Sequence, residues 1–173
     1  KKPDLVDAPA YRLARKTFLE ALANHPQTAI YRDYGTAGVA AMCNAFGALP
    51  TRGFSVGQFD SIDKIDGDNL RSILINRAGD ASTAHACMPG CIIQCSNVFA
   101  DQSGKAIVAP LEYETIGLMG ANLGIDDLDV IARLNWLAND LGLDVIDLGA
   151  AIGVTARAGL IDFGNEKQVI QLM

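Results

Sequence analysis

Apolar residues recur at helical spacing over much of the chain and alternate with polar ones almost nowhere, which predicts a mostly α-helical protein. The first run is 11–23, where Leu13, Phe18, Leu19 and Leu22 mark a face, Pro9 suits the first turn and Asn24-His25-Pro26 ends the helix. A second helix is predicted over 33–46, with Val39, Met42, Cys43 and Phe46 on one stripe and Gly47 and Pro50 past its end. Residues 50–67 mix Gly, Ser and Asp with isolated aromatics, as in a long ordered loop, and a third helix follows over 68–77. The stretch 79–110 keeps no period, apart from a short hairpin of 97–99 against 106–108 through Asp101-Gln102-Ser103-Gly104. Helices resume over 111–122 and 126–141. In the latter, Asp126 stands as N-cap with Asp129 three residues on, Ile131, Leu134, Leu137, Ala138 and Leu141 form the buried stripe, and Gly142 is placed as a left-handed C-cap. Residues 144–158 carry so many Gly and Ala that a close-packed buried helix is favoured, with a strand over 145–152 as the alternative.

Composition narrows the class. With 173 residues, 50% apolar and 20% charged, the chain has enough core for one compact domain and is too apolar for disorder. Fourteen Lys and Arg against 20 Asp and Glu give a net charge of -6 with the acids scattered, which argues against nucleic acid or an anionic membrane as partner. No apolar run approaches the about 20 residues that span a bilayer, and Lys1-Lys2-Pro3-Asp4 leads into no signal-type apolar core, so a soluble cytoplasmic protein is expected. The chain begins without Met and ends at Met173 inside a helical pattern with no stop signal, which predicts a piece of a longer protein.

Three of the four cysteines fall within nine residues, at Cys87, Cys91 and Cys95. On an unbroken helix they would share a face and pack as small hydrophobes, but Pro89-Gly90 breaks a helix between them. Thiols brought together from a turn suit a soft metal centre, and in a reducing compartment metal is preferred to disulfide. Zinc needs a fourth ligand, for which His85 or Cys43 is available, although an ordinary loop histidine and a buried helix cysteine are the simpler readings of those two. An iron-sulfur cubane needs a fourth thiolate from elsewhere. Farther on, Glu112 and Glu114 open a predicted helix, where they already suit the helix dipole. Asn139-Asp140-Leu141-Gly142-Leu143-Asp144 reads as a helix stop followed by an N-cap, yet it also points an amide and a carboxylate into one turn, where they can accept from a ligand's N–H groups.

Tyr34-Gly35-Thr36-Ala37-Gly38, Leu49-Pro50-Thr51-Arg52, the cysteine loop, Glu112-Tyr113-Glu114-Thr115 and Gly142-Leu143-Asp144, in this order, resemble the aldehyde ferredoxin oxidoreductase family. The resemblance implies a mostly α, multihelical domain with a cysteine loop and at most one short β-hairpin, as in that family's C-terminal domains. It also implies that 1–173 is a single helical domain of a longer chain, without the N-terminal β domain that cradles the pterins and without the C-terminal domain. Cys87, Cys91 and Cys95 become ligands of a [4Fe-4S] cluster whose fourth ligand lies outside the chain. Their spacing departs from the family's Cys-x2-Cys-x3-Cys by one residue. The family's Asp-x-x-Gly-Leu-Cys/Asp pterin motif falls on Asn139, Gly142, Leu143 and Asp144, with Asn139 in place of the leading Asp, and its active-site glutamate on Glu114 in preference to Glu112. The implied activity is oxidation of an aldehyde at a tungsten or molybdenum bis-pterin, with a small aldehyde or acid as substrate. Electrons would pass through the cluster to ferredoxin or a similar carrier. A homo-oligomer is compatible with it, and the isolated piece is expected to be inactive. The competing reading is a non-catalytic, zinc-stapled helical interaction domain using His85 with the three cysteines. It leaves the other matched segments without a role.

Overall fold

The structure is a computed structural model that describes residues 4–173; Lys1, Lys2 and Pro3, which open the segment with no signal-type core, lie outside the described residues. The chain enters through α1 (Ala8–Ala23), capped by Asp7, whose carboxylate accepts from the Ala10 N–H at 2.9 Å. The predicted helix is present but its stripe is only partly covered: no residue of α1 is buried, Leu19 and Leu22 are half-buried, and Leu13 and Phe18 are 68% and 64% exposed.

The next helix differs from expectation. Pro26 does not simply end α1; it opens α2 (Pro26–Tyr34) from the first-turn position, with His25 Nδ1 accepting from the Gln27 N–H. The helix predicted over 33–46 is cut at Gly35, which takes φ +61°, and continues as a 3₁₀ turn (Thr36–Val39) and a short α3 (Ala40–Ala45). Met42 and Phe46, expected on its buried stripe, are exposed. After the predicted loop, α4 (Gly67–Arg77) is capped by Asp66.

The irregular region holds a three-stranded antiparallel sheet in the order β1 (Ser82–His85), β2 (Ser96–Ala100), β3 (Ala106–Val108). The predicted hairpin is β2 and β3, in register Phe99 to Val108, closed by an Asp101 carboxylate that accepts from Ser103 and the Lys105 N–H. Strand β1 adds to it. Its Ser-Thr-Ala-His sequence carries no apolar alternation and all four residues are half-buried, so pattern alone did not mark it.

Where one helix was expected over 111–122, the chain makes a single α-turn, α5 (Tyr113–Thr115), then a π-turn (Ile116–Gly120) with every residue buried, then a 3₁₀ turn (Ala121–Leu123). Helix α6 (Leu128–Leu141) is capped by Asp127, not Asp126: its carboxylate accepts from the Asp129 N–H at 2.8 Å. Asp126 instead takes a bond from Lys64 Nζ at 2.6 Å, and Asp129 pairs in two-pronged fashion with Arg77. Ile131, Leu134 and Ala138 are buried as predicted, while Leu141 turns out to solvent. Residues 145–157 are helix α7 (Val145–Arg157), which excludes the strand alternative. Only the face of Gly149, Ile152, Gly153 and Ala156 is buried, against Leu118 and Asn122 of the π-turn and 3₁₀ segment. Short helix α8 (Glu166–Leu172) closes the core with Val169. Among the described residues no helix is long and apolar enough to cross a membrane.

Candidate functional site

The segment before α5 is fixed residue by residue. Asn135, 4% exposed on α6, donates from Nδ2 to the Pro110 carbonyl at 2.6 Å. Asn97 of β2 binds Leu111 in both directions, with Nδ2 to the carbonyl at 2.7 Å and Oδ1 from the N–H at 2.9 Å. Thr36 Oγ1 accepts from the Tyr113 N–H at 3.0 Å. Three side chains from three parts of the fold therefore hold the backbone that carries Glu112 and Glu114.

Across from this segment lies the joint between α6 and α7. Gly142 takes φ +72° as the predicted C-cap, and the Leu143 N–H turns back to the Ala138 carbonyl at 2.9 Å. Asp144 then caps α7: its Oδ1 accepts from the N–H groups of Ile146 at 2.8 Å and Asp147 at 3.1 Å. Between the two segments is a cleft of about 380 Å³ lined by Glu112, Glu114, Asn139, Leu143 and Asp144, together with Pro110, Thr115, Asn135, Val145 and Ile146. Both predicted glutamates and three of the four predicted turn residues thus share one cavity; Gly142 shapes the turn behind it.

Two features give the cleft chemical character. Glu114 Oε2 is buried with no hydrogen-bond partner, a costly state unless a donor arrives. Burial pushes the Glu112 carboxyl above the usual carboxylate range, and the neighbouring charge of Glu114 adds to that. A ligand rich in N–H donors fits this wall, because the cleft presents carboxylate and amide acceptors and one of them is unsatisfied. Asn135 is a site residue that the sequence pattern did not single out, although its place one helical turn before Asn139 puts it on the same face of α6.

The cysteine loop runs between β1 and β2. It is not helical: the Cys91 N–H closes a turn on the Met88 carbonyl, Gly90 takes φ +81° and Gln94 φ +54°. Arg32 Nη2 holds the Ile92 carbonyl at 3.1 Å. Cys87 is exposed while Cys91, Cys95 and the more distant Cys43 are half-buried, and all four are free thiols. Burial pushes the Cys95 thiol up, with the charge of Glu112 acting in the same direction, so the loop lies within electrostatic reach of the cleft. As a donor set, three free thiols within nine residues fit a thiophilic centre in kind, and the buried hydroxyl of Ser96 beside Cys95 has no hydrogen-bond partner among the described residues. Among the described residues no three His, Cys, Asp or Glu side chains stand together at metal-holding separations, so the three thiols are close in sequence but not gathered in space, and neither His85 nor Cys43 joins them. The Tyr113 hydroxyl is pushed up to about 12, mainly by burial, with Cys43 nearby acting in the same direction.

The chain is a mostly helical domain with a cleft lined by carboxylate and amide acceptors and a separate loop of three thiols, donor types that metal and cofactor sites use. The comparisons make the class specific. Residues 13–173 match the family described as aldehyde ferredoxin oxidoreductase, domains 2 & 3, and the chain belongs to that family. It is similar to the tungsten-containing aldehyde ferredoxin oxidoreductase of Pyrococcus abyssi, 33% identical over 141 residues that cover 78% of this chain and 22% of the relative. Its similarity to the enzyme of the same name from Thermococcus kodakarensis is 29% over 153 residues, 88% of this chain and 24% of the relative. A shorter stretch of 72 residues, 39% of this chain and 11% of the relative, is 35% identical to the aliphatic sulfonate oxidoreductase, WOR-like subunit, of Pyrococcus furiosus. The chain therefore spans less than a quarter of the length of these curated relatives and is homologous to tungsten-containing oxidoreductases.

Proposed function

We propose that this chain forms the helical part of an aldehyde-oxidising enzyme. It contributes one wall of a tungsten or molybdenum bis-pterin site and three ligands of a [4Fe-4S] cluster, and ferredoxin or a similar carrier is the electron acceptor. The observation that carries this reading is the convergence of Glu112 and Glu114 with Asn139, Leu143 and Asp144 on one cleft, with a buried carboxylate oxygen left unpartnered in it. When bound, the pterin-held metal supplies the two-electron oxidation and the cluster the outlet for electrons.

Asn139 and Asp144 would hold the pterin by accepting its N–H groups, Asn139 without the charge that an aspartate would bring. Glu114 is the general acid/base: its Oε2 is free of internal partners, so it can take a proton from substrate or water and release it again. Glu112, whose carboxyl is raised above the usual carboxylate range by burial and by the charge of Glu114, takes up a proton more readily than a solvent-exposed carboxylate does. Leu143, Val145 and Ile146 give the cleft an apolar side. The domains needed to close both sites lie outside this chain, which by itself is inactive. The functional setting is the cytoplasm.

Anaerobic purification of the enzyme that contains this domain, with iron, acid-labile sulfide, tungsten, molybdenum and pterin quantified, tests the reading. Iron with sulfide and a broad charge-transfer absorption, bleached by Cys87→Ser, Cys91→Ser or Cys95→Ser, is the expected result. Stoichiometric zinc without that absorption would instead establish a zinc-stapled, non-catalytic domain.

A further inference from the structure

Two of the three side chains that hold the glutamate segment stand on or next to the flank of the cysteine loop. Asn97 is two residues beyond Cys95, is 2% exposed, and spends both ends of its amide on Leu111. Thr36, which holds the Tyr113 N–H, follows Gly35, and Gly35 is pressed so closely on the loop that a Cβ there would stand 2.7 Å from the Cys95 carbonyl oxygen and 3.8 Å from Asn97 Nδ2. Glu112 sits between these two clamps, and its own carbonyl accepts from the Ile116 N–H at 3.0 Å, at the head of the buried π-turn. A pair of segments joined by a fully satisfied buried amide moves as one body, since parting them would strand both polar groups of Leu111 without partners. On the loop side, by contrast, Ser96 Oγ is buried and unpartnered and the thiols stand apart, so this end of the link has an interaction still to make.

We infer that Asn97 and Thr36 are positioning residues that tie the cysteine loop to the cleft, so that a thiophilic centre on Cys87, Cys91 and Cys95 sets where Glu112 and Glu114 stand. The inference rests on the loop being a metal centre, but not on which centre it is. Gathering the thiols pulls on Cys95 and hence on Ser96 and Asn97. Asn97 transmits the shift to Leu111, and Thr36 limits it at Tyr113. An enzyme built this way keeps its acid/base carboxylate out of register until its electron outlet is assembled.

Zinc ion alone, added to the full 173-residue chain, is the probe, with amide hydrogen exchange followed by NMR and zinc uptake scored by loss of thiol reactivity. Exchange of the Leu111 and Tyr113 N–H groups is expected to slow by about tenfold or more on zinc binding, with a shift in the side-chain signals of Glu112 and Glu114. Asn97→Asp keeps the acceptor for the Leu111 N–H and loses the donor to its carbonyl; it should bind zinc and show a diminished response at Leu111. Thr36→Val, a milder change from a separate element that guards against misfolding at Asn97, should bind zinc and lose the response at Tyr113 alone. Zinc uptake with unchanged exchange at both amides overturns the coupling and leaves the oxidoreductase reading standing, because that reading is decided by iron, sulfide and pterin. Absence of zinc uptake also overturns it. An amide response in a protein whose enzyme carries neither iron nor pterin supports the coupling and removes the oxidoreductase reading.

Discussion

Asp144 is where a structural and a cofactor role meet in one side chain, and two substitutions separate them. Its Oδ1 takes two N–H groups at the start of α7, from Ile146 and Asp147, so Asp144→Ala removes an N-cap. Such a loss costs about 0.5–2 kcal/mol, which for a domain of this size lowers Tm by about 1–8 °C. Asp144→Asn keeps the cap to within a few tenths of a kcal/mol, because Asn and Asp cap about equally well, but it removes the charge facing the cleft. A charge-assisted bond to a pterin N–H is worth about 1.5–3 kcal/mol, so its loss weakens retention by about ten- to over a hundredfold. The expected pattern is that Asp144→Ala lowers both Tm and pterin content, while Asp144→Asn lowers pterin content alone. Thermal melting of this chain and pterin quantified in the assembled enzyme measure the two. If Asp144→Asn retains full pterin, the carboxylate is a cap only and the proposed contact is wrong; if Asp144→Ala melts at the parental temperature, the cap is wrong.

Three further outcomes are expected. Glu112→Gln should stabilise the chain at neutral pH and do nothing at low pH. Its carboxyl is raised above the unfolded value of about 4.3, so its ionisation opposes folding once pH rises through the folded pKa, and melting at pH 7 and pH 4 checks the sign. Gly35→Ala should destabilise by about 1–3 kcal/mol, because φ is +61° and the new Cβ meets the Cys95 carbonyl oxygen; urea denaturation measures it, and a neutral result would refute the close approach. Arg77→Met should cost about 1–2 kcal/mol, since Arg77 loses two bonds of 2.6 Å to Asp129 and one of 2.8 Å to the Ala100 carbonyl, with the cost reduced by the 40% exposure of Asp129; equilibrium unfolding in urea reads it.

The elements legible in the sequence were those whose period and caps coincide. Helix α6 has apolar residues on one face, an acid at its start and Gly142 at its end; the exposure of Leu141 escaped the pattern, and so did the choice between Asp126 and Asp127 as cap, because adjacent aspartates carry the same local signal. Failures came where local and tertiary demands differ. Gly35 stops a helix that composition would continue, because the Cys95 carbonyl must pass there. The 111–122 segment has helical period throughout, but Gly120 has to admit Ile131 and Gly149 has to meet Leu118, and these contacts accompany a π-turn that no period encodes. The candidate site was legible as two separate motifs; their joining was not, since Asn135 and Asn97 act across 25 and 14 residues of chain.

Position of the cleft follows from the same close approaches. Gly149 and Gly153 let α7 lie against the backbone of Leu118 and the amide of Asn122, and Asn122 Nδ2 secures it through the Gly149 carbonyl at 3.0 Å. With α7 held there, its capped start stands opposite the first turn after Pro110, and the N-cap aspartate and the helix-opening glutamates face one another across the cavity. π-turns concentrate at functional sites because they re-aim a side chain by a fraction of a turn, and here the irregular backbone begins at the residue after Thr115, directly behind the glutamate it must aim. The π-turn is thus part of the site, although none of its side chains enters the cleft.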